Sequence, residues 1–275
     1  MDLKHFYKLS QKEIVNRFRE FIEADMFVRY PFLKNKISLI ITGSIPAGHY
    51  DEYSDFDTEF FYSNEKDRQK INTLVKEYKV TLRERKIPVQ FHPAKTFIEL
   101  KKEHLAGWNN DDALREYSMA LIVLDAEKRF QKIQAGIKWY PRDVLQEKIQ
   151  WLFSEAIFNF EDRLVVAAKR NNNLYLHSVR SLIVKLLGNT LLMAGGHYPV
   201  YEKHLYTELK DFGEKIFCQK VDCLLVTTNI VEMKNKLRDI ISLVEKRLIK
   251  NKWIKKETKE HWMLLRPKYK VEHCL

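Results

Sequence analysis

Apolar positions along the chain follow two regimes. Ile14, Phe18, Phe21 and Ile22 recur at helical spacing and predict an opening amphipathic helix over 11–26. After Pro31 the period changes: ISLIIT, at 37–42, is a β-branched run closed by Gly43 and predicts a buried strand. DFDTEFFY, at 55–62, sets carboxylates at every second position among aromatic residues and predicts a second strand. IPVQFH (87–92) and MALIVLD (119–125) predict two more. Between the second and third strands, Ser63-Asn64 can cap a helix that runs into the eighties, with Ile71, Leu74, Val75 and Tyr78 on one face. Beyond Trp139-Tyr140-Pro141 only helical periodicity remains, over 142–170, 174–194, about 200–211 and 229–250. Pro141 suits the start of the first of these helices, and Gly195-Gly196 the end of the second. The predicted class is α+β, with a mixed sheet and its helices over 1–138 and an all-helical bundle over 139–275.

Composition agrees with two folded regions. The chain has 275 residues, 45% of them hydrophobic and 31% charged, enough to bury one large core or two modest ones. No apolar run approaches the roughly 18 residues that cross a bilayer, and MDLKHFYKLSQKE lacks the apolar stretch of a secretory signal. A cytoplasmic protein with no membrane partner is expected. Cys218, Cys223 and Cys274 make neither a disulfide framework nor a four-ligand zinc set. The net charge of +11 is concentrated at one end, since residues 246–270 carry ten Lys/Arg against two Glu, a net of +8. Trp253, Trp262 and Tyr269 interleave with that charge. The segment reads either as a terminal helix with packed aromatics and solvated lysines, or as a surface for RNA or phosphate.

The chemistry concentrates in ITGSIPAGHYDEYSDFD, residues 41–57. On a strand, Asp55 and Asp57 project to the same face and Glu59 follows them. Carboxylates side by side repel unless a cation lies between them, and oxygen ligands of this kind suit Mg²⁺, which keeps waters and takes phosphate oxygens. Gly43 lets the backbone approach an anion closely, and Ser44 offers an amide N–H and a hydroxyl. An isolated Asp-x-Asp is equally at home in a turn or at a helix cap. Here it follows a strand and a Gly-Ser turn, and a metal-bound triphosphate would use both features.

That succession of strand, Gly-Ser, a loop of about ten residues with an internal glycine, and Ser-Asp-x-Asp opening a second strand resembles the signature of the DNA polymerase β-like nucleotidyltransferase superfamily. Within it the chain is most similar to the bacterial small-molecule enzymes of the aminoglycoside and lincosamide adenylyltransferase type, in which a helical bundle follows the catalytic domain. AGGHYPVYEKHL, at 194–205, looks like the Tyr-Pro…Lys segment of those proteins. The resemblance implies that Asp55 and Asp57 hold two Mg²⁺ ions. It further implies that Gly43, Ser44 and Ser54 contact the triphosphate, and that Lys203 neutralises the departing pyrophosphate. The donor it implies is a nucleoside triphosphate, with ATP expected, and the acceptor is a hydroxyl of a small molecule, an antibiotic among the possibilities.

One departure stands out. The family usually supplies a third carboxylate from the strand after the intervening helix, and here that strand carries Gln90 and His92. His92 could act as base, Glu59 could be the missing acid, or Glu84, Glu99, Glu155 or Glu161 could reach in. A polycationic aminoglycoside would call for an acidic pocket that a +11 chain does not advertise, so a neutral or anionic acceptor fits better. The competing expectation is an RNA-directed transferase, tRNA included, or a binding protein that keeps the fold without catalysis.

Overall fold

The computed structural model describes residues 5–84, 89–105, 110–125, 127–137 and 139–255. The chain divides into two compact units, Met1–Trp139 and Tyr140–Leu275. The first is α+β and the described part of the second is entirely helical.

In the first unit, five strands form one mixed sheet: β1 (Ile37–Thr42), β2 (Phe56–Tyr62), β3 (Val89–Phe91), β4 (Lys95–Thr96) and β5 (Leu121–Asp125). The order is β3-β2-β1-β5, with β4 also pairing β2. β1 runs antiparallel to both β2 and β5, while β2 runs parallel to β3 and β4. A parallel neighbour needs a crossover. The helix Arg68–Glu84 provides it, preceded by α1 (Gln11–Phe21) and so called α2. Every residue of β1 is buried, as expected of a central strand covered on both faces.

Alternation along β1 and β2 sorts side chains between two layers. Leu39, Ile41, Phe56, Phe60 and Tyr62 join one core cluster with Phe18 of α1 and Leu74 and Tyr78 of α2. Phe56 meets Phe18 with ring centroids 5.6 Å apart, and Phe60 meets Phe91 at 5.4 Å. Ile40 and Phe61 face the other way, toward Tyr117 and Phe130. These belong to α3 (Asp111–Met119) and α4 (Arg129–Gly136). Two side chains fix this second layer. The Asp125 carboxylate, at the end of β5, accepts from the backbone N–H groups of Arg129, Phe130 and Gln131 and so caps α4. Gln134 of α4 donates to the Tyr117, Ser118 and Ala120 carbonyls, which satisfies the end of α3.

The first helix begins with a capping box, Ser10 with Glu13, and passes at Ile22–Met26 into a π-turn, so the expected helix over 11–26 is present with a wider final turn. The expected strand over 87–92 is described at Val89–Phe91.

The second unit contains α5 (Arg142–Phe158), α6 (Leu164–Lys169), α7 (Asn173–Ala194), α8 (Glu202–Asp211), α9 (Lys215–Leu225) and α10 (Ile230–Lys250). The α7 helix is buried all round from Leu186 to Met193, which marks it as the bundle's centre. At Gly188 a Cβ would come within 3.0 Å of Leu209 and 3.1 Å of Leu205, so glycine sets how closely α8 approaches α7. Buried Arg180 donates to the carbonyls of Leu224 and Thr227 at the end of α9. Helix α9 was not anticipated, although Phe217, Val221 and Leu224 keep its inner face. Cys218 and Cys223 are free thiols on it. After α10 the Trp253 carbonyl accepts from Gln146 and Gln150. Of the basic segment 246–270, the residues from 256 onward lie outside the described residues, as does Cys274. Among the described residues no helix is long and apolar enough to cross a membrane.

Candidate active site

Gly43 leaves β1 with φ +75° and ψ −137°, a backbone conformation that side chains disfavour. A Cβ there would lie 2.4 Å from Oδ2 of Asp57. The Asp57 carboxylate therefore occupies space that only glycine leaves open. The pairing of Thr42 with Asp57 at the end of the β1–β2 ladder brings the two together. Ser44, 8% exposed, opens a single helical turn, Ser44–Ala47. Gln11 of α1 steadies that turn by donating to the carbonyls of Ile45 (2.8 Å) and Pro46 (3.1 Å). The loop then closes on a turn in which Asp51 Oδ1 accepts from Tyr53 N (2.9 Å) and Ser54 Oγ (3.1 Å). Asp51 N donates back to Ser54 Oγ at 3.0 Å, so the Ser54 hydroxyl serves the turn. Asp55, partly buried, comes immediately before β2.

Asp57 and Glu59 share the β2 face that carries Phe61, and α3 packs on that face. Glu59 is 4% exposed and already engaged. Its Oε2 accepts from Lys95 Nζ at 2.9 Å and from Tyr117 Oη at 3.0 Å, and Lys95 also reaches Tyr117 at 3.1 Å. Burial, reinforced by Glu59, pushes the Tyr117 hydroxyl well above the usual phenol range. His92 Nε2 lies 3.3 Å from Asp57 Oδ1. That hydrogen bond raises the imidazole's pKa against the effect of burial, with Glu59 adding to it.

A further carboxylate belongs to this cluster and was not foreseen. Glu116, on α3, has its pKa raised first by burial and then by the charges of Glu59 and Asp57, while the Thr42 hydroxyl and His92 oppose the shift. Three acids thus share one neighbourhood with His92 and Lys95. The available clue was helical spacing: Glu116 lies one turn from buried Ala113 and beside buried Tyr117, at the margin of the helix's inner face.

The structure brings Gly43, Asp57, Glu59 and His92 together in the first unit. Gln90, which pairs with Asp57 across the β2–β3 ladder, is exposed. Glu84 is exposed in the last turn of α2. Glu99 is occupied by a capping box with Thr96 and an ion pair with Arg68, and the Thr96 N–H leads in holding its carboxyl below the ordinary range. Lys203 is exposed in the first turn of α8, and Glu155 and Glu161 are likewise residues of the second unit.

For a metal ion, the donor set is the relevant test. Among the described residues, no group of three or more His, Cys, Asp or Glu is arranged to enclose a cation. Paired carboxylate oxygens are the donors that a hard divalent cation takes while completing its shell with water and phosphate oxygens, as Mg²⁺ does. The absence of a Cβ at Gly43 is what makes room for Asp57 Oδ2 beside the Gly-Ser turn.

No protein-family model matches the chain, and no curated protein does. Among solved structures, a nucleotidyltransferase-like protein from Exiguobacterium sibiricum 255-15 is similar over 88% of this chain and 80% of that chain, at 10% identity and a TM-score of 0.46. A likeness that distant transfers no residue roles to this chain.

Proposed function

We propose that the protein is a metal-dependent nucleotidyltransferase that moves a nucleoside monophosphate, with ATP as the expected donor, onto a hydroxyl of a small molecule. The observation that carries this reading is the convergence of Gly43 and Asp57 at the end of the β1–β2 ladder, with Asp55 directly before the strand. Asp55 and Asp57 would hold Mg²⁺, which when bound stabilises charge on the phosphates and acidifies the attacking hydroxyl. Gly43 and Ser44 would cradle the β- and γ-phosphates through backbone and hydroxyl, while Ser54 acts by shaping the loop.

The transfer requires an acceptor proton to leave as the acceptor oxygen bonds to the α-phosphorus and the bond to the β-phosphate oxygen breaks, releasing pyrophosphate. A base is most effective when its pKa lies near the working pH. Glu116, raised by burial and by neighbouring acids, is in that respect better suited than a carboxylate at its ordinary value. His92, whose protonated form Asp57 favours, suits charge balance at Asp57 better than proton removal. Glu59 is committed to Lys95 and Tyr117 and supports the cluster. With Asp55 and Asp57 assigned to the metal and Glu59 to Lys95, the acceptor is taken to be neutral or anionic rather than a polycation, and modification of an uncharged antibiotic is one use of such chemistry.

The test is a Mg²⁺-dependent assay of the four α-labelled nucleoside triphosphates against a panel of hydroxylated small molecules and tRNA. Label should pass to a small molecule, with pyrophosphate released, and Glu116→Gln should slow the transfer by about 10²-fold or more. Label found on tRNA alone would replace this reading with the RNA-directed one. Bound nucleotide with no transfer to any acceptor would favour a binding protein.

A further inference from the structure

The acidic cluster uses only one end of the β2 face. At the other end, four residues beyond Glu59 and so about 13 Å further along the strand by its rise per residue, the face opens into a cavity of about 820 Å³ beside Ser63, which follows the last residue of β2. Its walls are Phe97, Leu105, Leu114, Ile133 and Ile137, brought together by the segment after β4, by α3 and by α4. The Asp125 cap and the Gln134 contacts hold α3 and α4 in place, so the cavity belongs to the packed layer. Its size falls in the range of small-molecule sites, roughly 300–1,000 Å³.

The polar groups at this cavity are nearly all of one sign. Lys101, Arg129 and Lys132 line it, and no carboxylate does among the described residues. Arg129 is held by Ser63 and by Glu127. The ammonium groups of Lys101 and Lys132 have no ion-pair partner among the described residues. Among the described residues the only other side-chain hydrogen-bonding group in the lining is the Ser63 hydroxyl. A nucleotide base or a sugar would leave most of its donors and acceptors unanswered there, at a cost for each. An apolar body bearing a single anionic group matches both the walls and the rim.

The geometry points to a second binding site, independent of the proposed transfer chemistry, for a free amphipathic anion: an apolar chain or ring lying against Phe97, Leu114 and Ile133, with a carboxylate head between Lys101 and Lys132. The ligand class is that of medium-chain carboxylic acids.

Isothermal titration of the full chain with decanoate, below its micelle concentration, tests the site. Decanol, decyltrimethylammonium and phosphatidylglycerol vesicles serve as comparison arms. Decanoate should bind at least tenfold more tightly than decanol or the cation. Lys101→Glu with Lys132→Glu, both at exposed positions, should weaken decanoate at least tenfold and leave decanol unchanged. Ile133→Trp, which fills the cavity, should abolish binding of decanoate and decanol alike, provided circular dichroism shows a folded chain. Equal affinity for decanoate and decanol, an unchanged affinity in the lysine double variant, binding to vesicles alone, or no binding of decanoate would each overturn the assignment.

Discussion

Lys95 and Arg180 are both held against packed parts of the chain, and they are answered differently. Lys95, its side chain 23% exposed, meets a carboxylate, Glu59, and stands among further acids that it does not fully neutralise. Arg180, 8% exposed, meets main-chain carbonyls at the end of α9, and its Nε finds no partner. The second arrangement closes a helix end and needs no ligand to explain it. The first leaves Asp57, Glu59 and Glu116 close enough to disturb one another, a condition that folding alone would not favour and that added positive charge would relieve. A buried cation matched to carbonyls closes a helix end, whereas carboxylates that outnumber their cation leave repulsion in the folded state.

Removing Lys95 is the strongest way to break this contrast. Lys95→Met should leave the Glu59 carboxylate buried and unpaired and cost about 3–5 kcal/mol, measured by chemical denaturation. Adding Glu59→Gln should recover much of that loss, and a double variant no better than the single one would show that the pair is not the source. Arg180→Leu should cost less, about 1–3 kcal/mol, because the carbonyls of Leu224 and Thr227 lose a donor without stranding a charge. If it cost more than Lys95→Met, the ranking of the two cations would be reversed.

Gly43→Ala separates site from scaffold more finely. The substitution strains a residue held at φ +75° and sets a methyl against the Asp57 carboxylate. Stability should fall by roughly 1–3 kcal/mol, as for a side chain forced into a backbone region open almost only to glycine, while Mg²⁺-nucleotide binding is lost. Retained binding would show that Asp57 can work from another position.

The smallest effect has the opposite sign. Glu116 has a folded pKa raised above its unfolded value, so the folded state holds its proton over a pH range in which the unfolded state has released it. Its stabilising contribution is present below the unfolded pKa, about 4.3, and is lost as pH rises through the folded value. Glu116→Gln should therefore be more stable than the parent at pH 7, with the advantage shrinking toward pH 4, as thermal unfolding across that range would show. A variant less stable at pH 7 would mean that the Thr42 contact outweighs the repulsion.

What was legible in the sequence was whatever depends on neighbours along the chain. The strand at 37–42, the Gly-Ser turn, the aspartates before and within β2, and the long helices of the second unit follow from period and from turn residues. Three helices escaped that reading, α3 among them. The α4 helix has few apolar positions and takes its start from Asp125, a carboxylate supplied by the preceding strand. The α9 helix is short and begins directly after the turn at Gly213. The fate of Glu59 could not be read locally, because its partners lie 36 and 58 residues away and meet it only once β4 and α3 have docked on the β2 face. The same long-range packing hid Glu116. A hydrophobic pattern says that α3 has an inner face but not which strand residues that face will meet.

If Gly43 and Asp57 form the floor of a metal-nucleotide site, calorimetric titration of MgATP into the parent protein and into Asp57→Asn will show it. The parent should bind MgATP, and bind ATP much more weakly when Mg²⁺ is removed. Asp57→Asn, folded to the same extent by circular dichroism, should lose the metal-dependent part of that affinity. MgATP binding that is equal in the two proteins, and equal with and without Mg²⁺, would contradict the account.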